Sequence, residues 1–173
     1  MPKHIQYALP SALLGKSQLG QRIRFNQDGT ITIRPGKVEI GQGIVSAIAQ
    51  IAAEELDVSY SKIQVLPVDT SVSPDEGATS GSRSIQEGGE YMRYVCAEVR
   101  QLFLEAAAMK SNLPVDSLTV CDGQIYSKNN EPLFSYWQLL SDVNLEVMAN
   151  GRADPKQPDT YQLIGTSAPR KDI

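Results

Sequence analysis

An α+β domain is what this sequence predicts, and three observations carry that prediction. Short alternating polar and apolar segments flank turn residues at 26–29 and again at 122–123, the pattern of β-hairpins. Two longer segments carry apolar residues at helical spacing. One further strand-like run lies between them, so the expected order is β-β-α-β-α-β-β, a mixed sheet packed by two main helices. The apolar stripes of both helices need a common partner, and the sheet is the candidate.

The elements follow in chain order. Residues 1–21 read as an entry segment with a turn around Gly15-Lys16-Ser17. Arg22-Ile23-Arg24-Phe25 and Thr30-Ile31-Thr32-Ile33-Arg34 alternate across Asn26-Gln27-Asp28-Gly29, which supplies the turn chemistry of a hairpin. Ile44, Ala47, Ile48, Ile51, Ala52 and Leu56 form one face of a helix, and this spacing marks them as core. Lys62-Ile63-Gln64-Val65-Leu66-Pro67-Val68 reads as a strand. A longer helix is expected over residues 85–111, with Met92, Val95, Val99, Leu102, Phe103 and Ala106 as its buried stripe. Beyond Leu113-Pro114, Ser117-Leu118-Thr119-Val120 and Gln124-Ile125-Tyr126 flank Asp122-Gly123, the second hairpin. Phe134-Ser135-Tyr136-Trp137-Gln138-Leu139-Leu140 reads as a short helix with a capping serine. Residues 150–173 lack periodicity, are rich in Pro, Asp and Lys, and read as a linker leaving the domain.

Composition bounds the function. The 173 residues suit one domain, or one domain with a tail. A hydrophobic content of 41%, a charged content of 21% and a net charge of −4 are those of a soluble globular chain. No basic run tracks phosphates, which argues against nucleic acid as a partner. No apolar stretch reaches membrane-span length, and the N-terminus has no signal-peptide core, although a leader could have been trimmed. The compartment stays open between cytoplasm and periplasm. Cys96 falls on the apolar face of the second helix and Cys121 beside a turn; both read as buried or incidental thiols. His4 is the only histidine. With that single imidazole near the chain's end, a histidine-based triad and a protein-ligated zinc site are nearly excluded, so any chemistry must come from a cofactor or from residues elsewhere.

Two segments carry chemistry. In Gly36-Lys37-Val38-Glu39-Ile40-Gly41-Gln42-Gly43, Gly41 and Gly43 bracket one polar side chain directly before a helix. They permit close approach of the backbone to a ligand, and unpaired amides at the helix start would suit an anion or an oxo group. Gln42 brings two donors and an acceptor. The competing reading is a helix entry that uses glycine only to turn. The second segment, residues 69–84, ends at the next helix start with Ser80, Gly81, Ser82, Arg83 and Ser84. Hydroxyls, bare backbone and a cation there suit a phosphate or a polar heterocycle; a flexible linker and simple capping by serine are the alternatives.

These segments resemble a known family. The motif at 36–43 is similar to the Gly-x-x-Glu-x-Gly-Gln-Gly signature of molybdenum hydroxylases, the molybdopterin-binding large subunits of the xanthine dehydrogenase and aldehyde oxidase family. Gln50-Ile51-Ala52-Ala53-Glu54-Glu55-Leu56-Asp57-Val58, Asp69-Thr70 and Thr79-Ser80-Gly81-Ser82-Arg83-Ser84 follow in the order and spacing of such subunits. The nearest likeness is to the isoquinoline 1-oxidoreductase and nicotinate dehydrogenase B-subunit type. In that type, residues resembling 161–173 lead toward a following hammerhead-like domain. The likeness covers roughly residues 18–173.

The resemblance implies a molybdenum–molybdopterin cofactor, with or without a cytosine dinucleotide extension, held by its own dithiolene rather than by His or Cys. Residues 22–149 would form the cofactor-binding domain. Gln42 would hydrogen-bond an oxo ligand with Gly41 and Gly43 permitting the approach, and Ser80, Gly81, Ser82, Arg83 and Ser84 would line the cofactor. Glu39 could serve as an acid or, the preferred reading, orient the loop by accepting hydrogen bonds. The implied reaction hydroxylates an N-heteroaromatic or aldehyde carbon with oxygen from water. Electrons would leave through a [2Fe-2S] small subunit and a flavin or cytochrome subunit. The family's catalytic glutamate lies in a late Gly-Glu motif that has no match here. This chain would therefore be an N-terminal fragment, a bacterial-type soluble piece that is inactive and without cofactor alone. Two rivals remain: a non-catalytic binding or assembly module that kept the fold, and a structural domain whose glycines only make turns, which a surface without a concavity at Gln42 would favour.

Overall fold

A computed structural model describes residues 17–171; His4, Gly15 and Lys16, on which part of the entry-segment reading falls, lie outside them. A single helical turn, α1 (Leu19–Arg22), leads into β1 (Ile23–Phe25), which pairs antiparallel with β2 (Ile31–Ile33). Gly29, at φ +82°, closes the hairpin where Asn26 N–H donates to Thr30 O at 2.9 Å. Helix α2 (Ile44–Leu56) then crosses over to β3 (Ile63–Val65), which pairs parallel with β2 at Ile31–Ile63 and Ile33–Val65. β2 is thus central, and all three of its residues are buried. α2 stops at Asp57, whose left-handed conformation, φ +53°, ends the hydrogen-bond ladder.

Helix α3 (Glu90–Ser111) is preceded without a break by a π-helical turn, Ser84–Gly89. Met92, Val95, Val99 and Phe103 of its expected stripe are fully buried, and Leu102 packs against the core from its edge. β4 (Thr119–Cys121), β5 (Gln124–Tyr126) and β6 (Pro132–Ser135) form an antiparallel sheet.

The α+β class stands, and the sheet is divided. Strands 1–3 form one mixed sheet and strands 4–6 another. Between them sits an aromatic cluster: Phe25 lies edge-on to Phe103 at 4.9 Å and to Tyr136 at 5.7 Å. Tyr136 Oη donates to Leu56 O at 2.9 Å, and Trp137 Nε1 donates to Asn26 O at 2.8 Å. Side chains rather than a shared ladder therefore join the two layers. The sixth strand takes the first residues of the short helix expected at 134–140, because Phe134 pairs with Ile125 across β5. Only a 3₁₀ turn, Trp137–Leu139, remains of that helix. Its capping serine is present: Ser135 Oγ accepts from Gln138 N–H at 3.3 Å, and Ser135 N–H donates to Gln138 Oε1 at 2.7 Å.

The tail, aperiodic as its composition suggests, lies against α2 and α3. Glu98 of α3 accepts the backbone N–H groups of Asn150 at 2.9 Å and Arg152 at 3.1 Å, and that of Gly151 between them. Glu54 Oε2 on α2 accepts from Gln162, Leu163 and Ile164 at 2.9, 2.6 and 3.1 Å. Burial alone would raise the Glu54 carboxyl, but those three amides and Lys156 outweigh it and hold the group below its ordinary value. Burial dominates at Glu55, which is pushed up although Lys156 N–H, Arg100 and Arg93 face it. No described helix is long and apolar enough to cross a membrane.

Candidate functional site

The residues between β2 and α2 fold into a compact loop governed by two side chains. Gly41 at φ +96° and Gly43 at φ +78° hold conformations that L side chains rarely adopt. A Cβ on either would meet nothing within 4 Å, so backbone conformation, not crowding, requires the glycines. Glu39 collects the freed amides: its Oε1 accepts from Gly41 N–H at 2.7 Å and Gly43 N–H at 3.0 Å, and its Oε2 accepts from Val45 N–H at 3.1 Å. The anion at this helix start is thus the protein's own carboxylate. That corrects the expectation of unpaired amides awaiting a ligand, and it gives Glu39 the orienting role.

Gln42 projects from the same loop and is exposed. Its Oε1 accepts from Ile40 N–H at 2.6 Å, and its Nε2 donates to Val38 O at 2.8 Å. The amide is held in one orientation, and the second Nε2 proton has no acceptor among the described residues.

The serine loop lies beside this one. Val38 N–H donates to Thr79 Oγ1 at 2.8 Å. Gly81 at φ +65° and Ser82 at φ +59° are successive left-handed residues before the π-helical turn. Ser80, Gly81, Ser82 and Arg83 are exposed and Ser84 is half-buried. No serine caps that turn, and the Ser80, Ser82 and Ser84 hydroxyls have no hydrogen-bond partner among the described residues. The Arg83 guanidinium stands 3.6 Å from Glu87 and is mostly exposed. Apolar side chains on the Gln42 loop and at the start of the π-helical turn also face solvent: Val38, Ile40 at 73% exposure, and Ile85.

Beneath the loops lies a buried charge cluster that sequence reasoning does not single out. Lys37, 2% exposed, donates to Glu76 O at 2.7 Å, to Ala78 O at 3.1 Å and to Glu87 Oε2 at 3.2 Å. The Glu76 carboxylate pairs with Arg22, whose side chain is fully buried over the Tyr91 ring and donates through Nε to Ser17 Oγ at 2.8 Å. Arg22 Nη2 and Glu76 Oε2 make no hydrogen bond among the described residues. Gly36 and Gly88 make room for this cluster. A Cβ at 36 would collide with Pro74 O, and one at 88 would come within 2.6 Å of Glu76 Oε2. A lysine inside a glycine motif was the available signal, but its partners lie 39 to 50 residues away in the chain.

Clefts of about 410 and 350 Å³ lie away from the motif, one lined by Asp28, Lys62, Asp122 and Trp137, the other by Glu54, Asp57, Cys121 and Lys156. Among the described residues no group of three or more His, Cys, Asp or Glu is arranged to hold a metal ion.

Known proteins share both the sequence and the fold. The profile of the molybdopterin cofactor-binding domain family matches residues 4–166. The B chain of nicotinate dehydrogenase from Pseudomonas putida is 33% identical over 156 residues, which cover 90% of this chain and 13% of that one. The beta chain of isoquinoline 1-oxidoreductase from Brevundimonas diminuta is 24% identical, covering 87% of this chain and 24% of that one. The reconstituted CO dehydrogenase of Oligotropha carboxidovorans shares the fold at a TM-score of 0.62 and 22% identity, over 73% of this chain and 17% of that one. The chain thus spans only 13% to 24% of the length of these curated relatives.

Proposed function

Because the chain belongs to the molybdopterin cofactor-binding domain family, we propose that it is the N-terminal part of a molybdenum hydroxylase large subunit and forms one wall of the cofactor site. The observation that carries this reading is the pairing of two loops with uncommitted polar groups: the second Nε2 proton of Gln42 and the Ser80, Ser82 and Ser84 hydroxyls, with the Arg83 guanidinium beside them. This donor set fits a pterin bearing phosphate, which needs many hydrogen bonds and a cation and no protein ligand to the metal. When bound, the cofactor supplies the oxygen- and electron-transfer chemistry. This chain's residues bind and orient. Gln42, with its carbonyl engaged by Ile40 N–H, presents an N–H from a fixed position, and Arg83 with the serine hydroxyls suits the phosphate end.

In this reading the whole protein hydroxylates an N-heteroaromatic or aldehyde substrate with water-derived oxygen, and its electrons pass to a [2Fe-2S] subunit and on to a flavin or cytochrome subunit. The cofactor is the plain or the cytosine dinucleotide form. Residues 22–149 are the cofactor-facing domain, and the tail docked on α2 and α3 leads toward the rest of the large subunit. The isolated chain is inactive, because the general base and the opposite wall of the site belong to other segments.

The exposed Gln42 suits a site completed by another domain, and equally glycines that only make turns. A turn-only role leaves the serine hydroxyls and the exposed Val38, Ile40 and Ile85 without a use. The deciding experiment is molybdenum and pterin analysis of the full-length natural protein, beside its Gln42→Ala and Ser80/Ser82/Ser84→Ala variants. Near-stoichiometric molybdenum that falls in the variants is expected. A folded protein without molybdenum under cofactor-replete conditions would overturn the reading in favour of a non-catalytic module.

A further inference from the structure

We propose that Lys37 is a positioning residue: it sets the spacing between the Gln42 loop and the serine loop, and it touches no ligand itself. The inference rests on the proposed cofactor reading for its purpose, but not for its geometry. A lysine ammonium has three protons to donate, and Lys37 spends them on Glu76 O, Ala78 O and Glu87 Oε2 at 2.7, 3.1 and 3.2 Å. No donor is left for a bound anion, and the side chain is 2% exposed. All three acceptors lie on the second segment: two carbonyls of the loop itself and a carboxylate of the π-helical turn that follows. The neighbouring Val38 N–H adds a fourth tie to Thr79. No strand or helix pairs the two loops, so these bonds hold them in register.

The packing around Lys37 leaves little freedom to shift. Gly88 would place a Cβ 3.2 Å from Lys37 Cγ and 2.6 Å from Glu76 Oε2. Gly36, directly before Lys37, would place one 2.6 Å from Glu76 Cγ. Both glycines outside the Gly-Gln-Gly core therefore admit the same node. Glu76 is itself anchored to Arg22, the last residue of α1 directly before β1, so the serine loop is tied to the entry of the sheet as well as to the motif. Lys37 fixes the base of the Gln42 loop and Glu39 fixes its tip. The distance between Gln42 and the serines is then a property of the fold before any ligand arrives, the preorganisation a shared site requires.

The test compares amide hydrogen exchange of the full 173-residue chain with that of its Lys37→Met, Lys37→Arg and Glu87→Gln variants. Lys37→Met keeps the apolar stem and removes every donor. We expect exchange in peptides spanning 38–45 and 78–84 to rise about tenfold or more, with α2 beyond its first turn and α3 beyond Glu90 unchanged. Lys37→Arg should restore part of the protection, and Glu87→Gln should show a smaller rise confined to the second segment. Unchanged exchange in both loops of Lys37→Met would overturn the proposal. So would an equal rise in the two helices, which would make Lys37 a general stability residue; the milder Glu87→Gln then still reports whether the loops respond separately. Failure of the cofactor reading shows elsewhere, as missing molybdenum in the full-length protein, and leaves the exchange result standing.

Discussion

Replacing Glu39 is the most direct way to ask what the glycine motif is for. The carboxylate accepts three backbone amides at 2.7, 3.0 and 3.1 Å, two from the motif glycines and one from the first turn of α2. A hydrogen bond to a charged group contributes ~1.5–3 kcal/mol, but this loop is half open to water, and ~0.5–1 kcal/mol per bond is the safer scale. Glu39→Gln keeps one carbonyl for Gly41 and Gly43, loses the charge at the helix start, and turns an N–H toward Val45. The expected destabilisation is ~1–2 kcal/mol; Glu39→Ala, which abandons all three amides, should cost ~2–3 kcal/mol. Urea unfolding followed through Trp137, the single tryptophan, measures the global part, and exchange at Gly41, Gly43 and Val45 the local part. Both variants falling within ~0.3 kcal/mol of the parent, with those amides still protected, would refute the orienting role. A Glu39→Gln holoenzyme that lost all turnover with the loop amides intact would instead make Glu39 the acid.

Two contrasts extend this. Gly41→Ala is strained by its φ of +96° in open space, whereas Gly88→Ala drives a Cβ to 2.6 Å from Glu76 Oε2; the first should cost ~1–2 kcal/mol and the second ~1–3 kcal/mol by urea unfolding. Only the second should disturb the Arg22–Glu76 pair, so a Glu76→Gln background should shrink the Gly88→Ala penalty and leave that of Gly41→Ala untouched; equal shrinkage would refute the distinction. For the tail, Glu54 lies below the ordinary value of 4.5 and Glu55 above it. The Glu54 contribution is therefore present above the ordinary range and lost as pH falls through the depressed value, while the cost of ionised Glu55 disappears earlier in the same descent. Limited proteolysis over 157–171 should find the tail protected down to about pH 4.5 and released only at lower pH; release beginning near neutrality would refute the clamp.

How much of this could be read from the chain depends on how far apart the partners lie. The hairpin at 26–29, the α2 and α3 stripes and the Asp122-Gly123 turn are local, and each stands where periodicity and turn chemistry put it. The separation into two sheets was not legible, because it depends on Phe25, Phe103 and Tyr136 meeting from distant segments. Phe134 reads as helical from its own neighbours, but its decisive partner is Ile125 across β5. At the site, the motif glycines and Glu39 could be read, since their bonds span at most six residues. Arg22, Lys37 and Glu76 could not. Each looks like an ordinary surface charge until the fold closes over it, and nothing in residues 69–84 announces that Glu76 is buried against Arg22.

The recurrent use of glutamate explains how so irregular a chain keeps its shape. Among the described residues, five of the six strands are three residues long, so ladders hold only part of the backbone. Elsewhere a carboxylate does what a strand partner would. Glu39 gathers amides from Gly41, Gly43 and Val45, Glu54 from Gln162, Leu163 and Ile164, and Glu98 from Asn150, Gly151 and Arg152. Glu54 and Glu98 are nearly fully buried, so each must remain saturated by N–H donors or leave a desolvated charge unpaired. The constraint is reciprocal: the loop or tail cannot lift away without stranding the carboxylate. The acidic surplus of this sequence is thus partly structural. The motif loop and the tail are held to α2 by the same device, Glu39 at its N-terminal end and Glu54 in its last turn. Both ends of that helix are thereby tied to irregular backbone, the motif loop at one and the tail at the other.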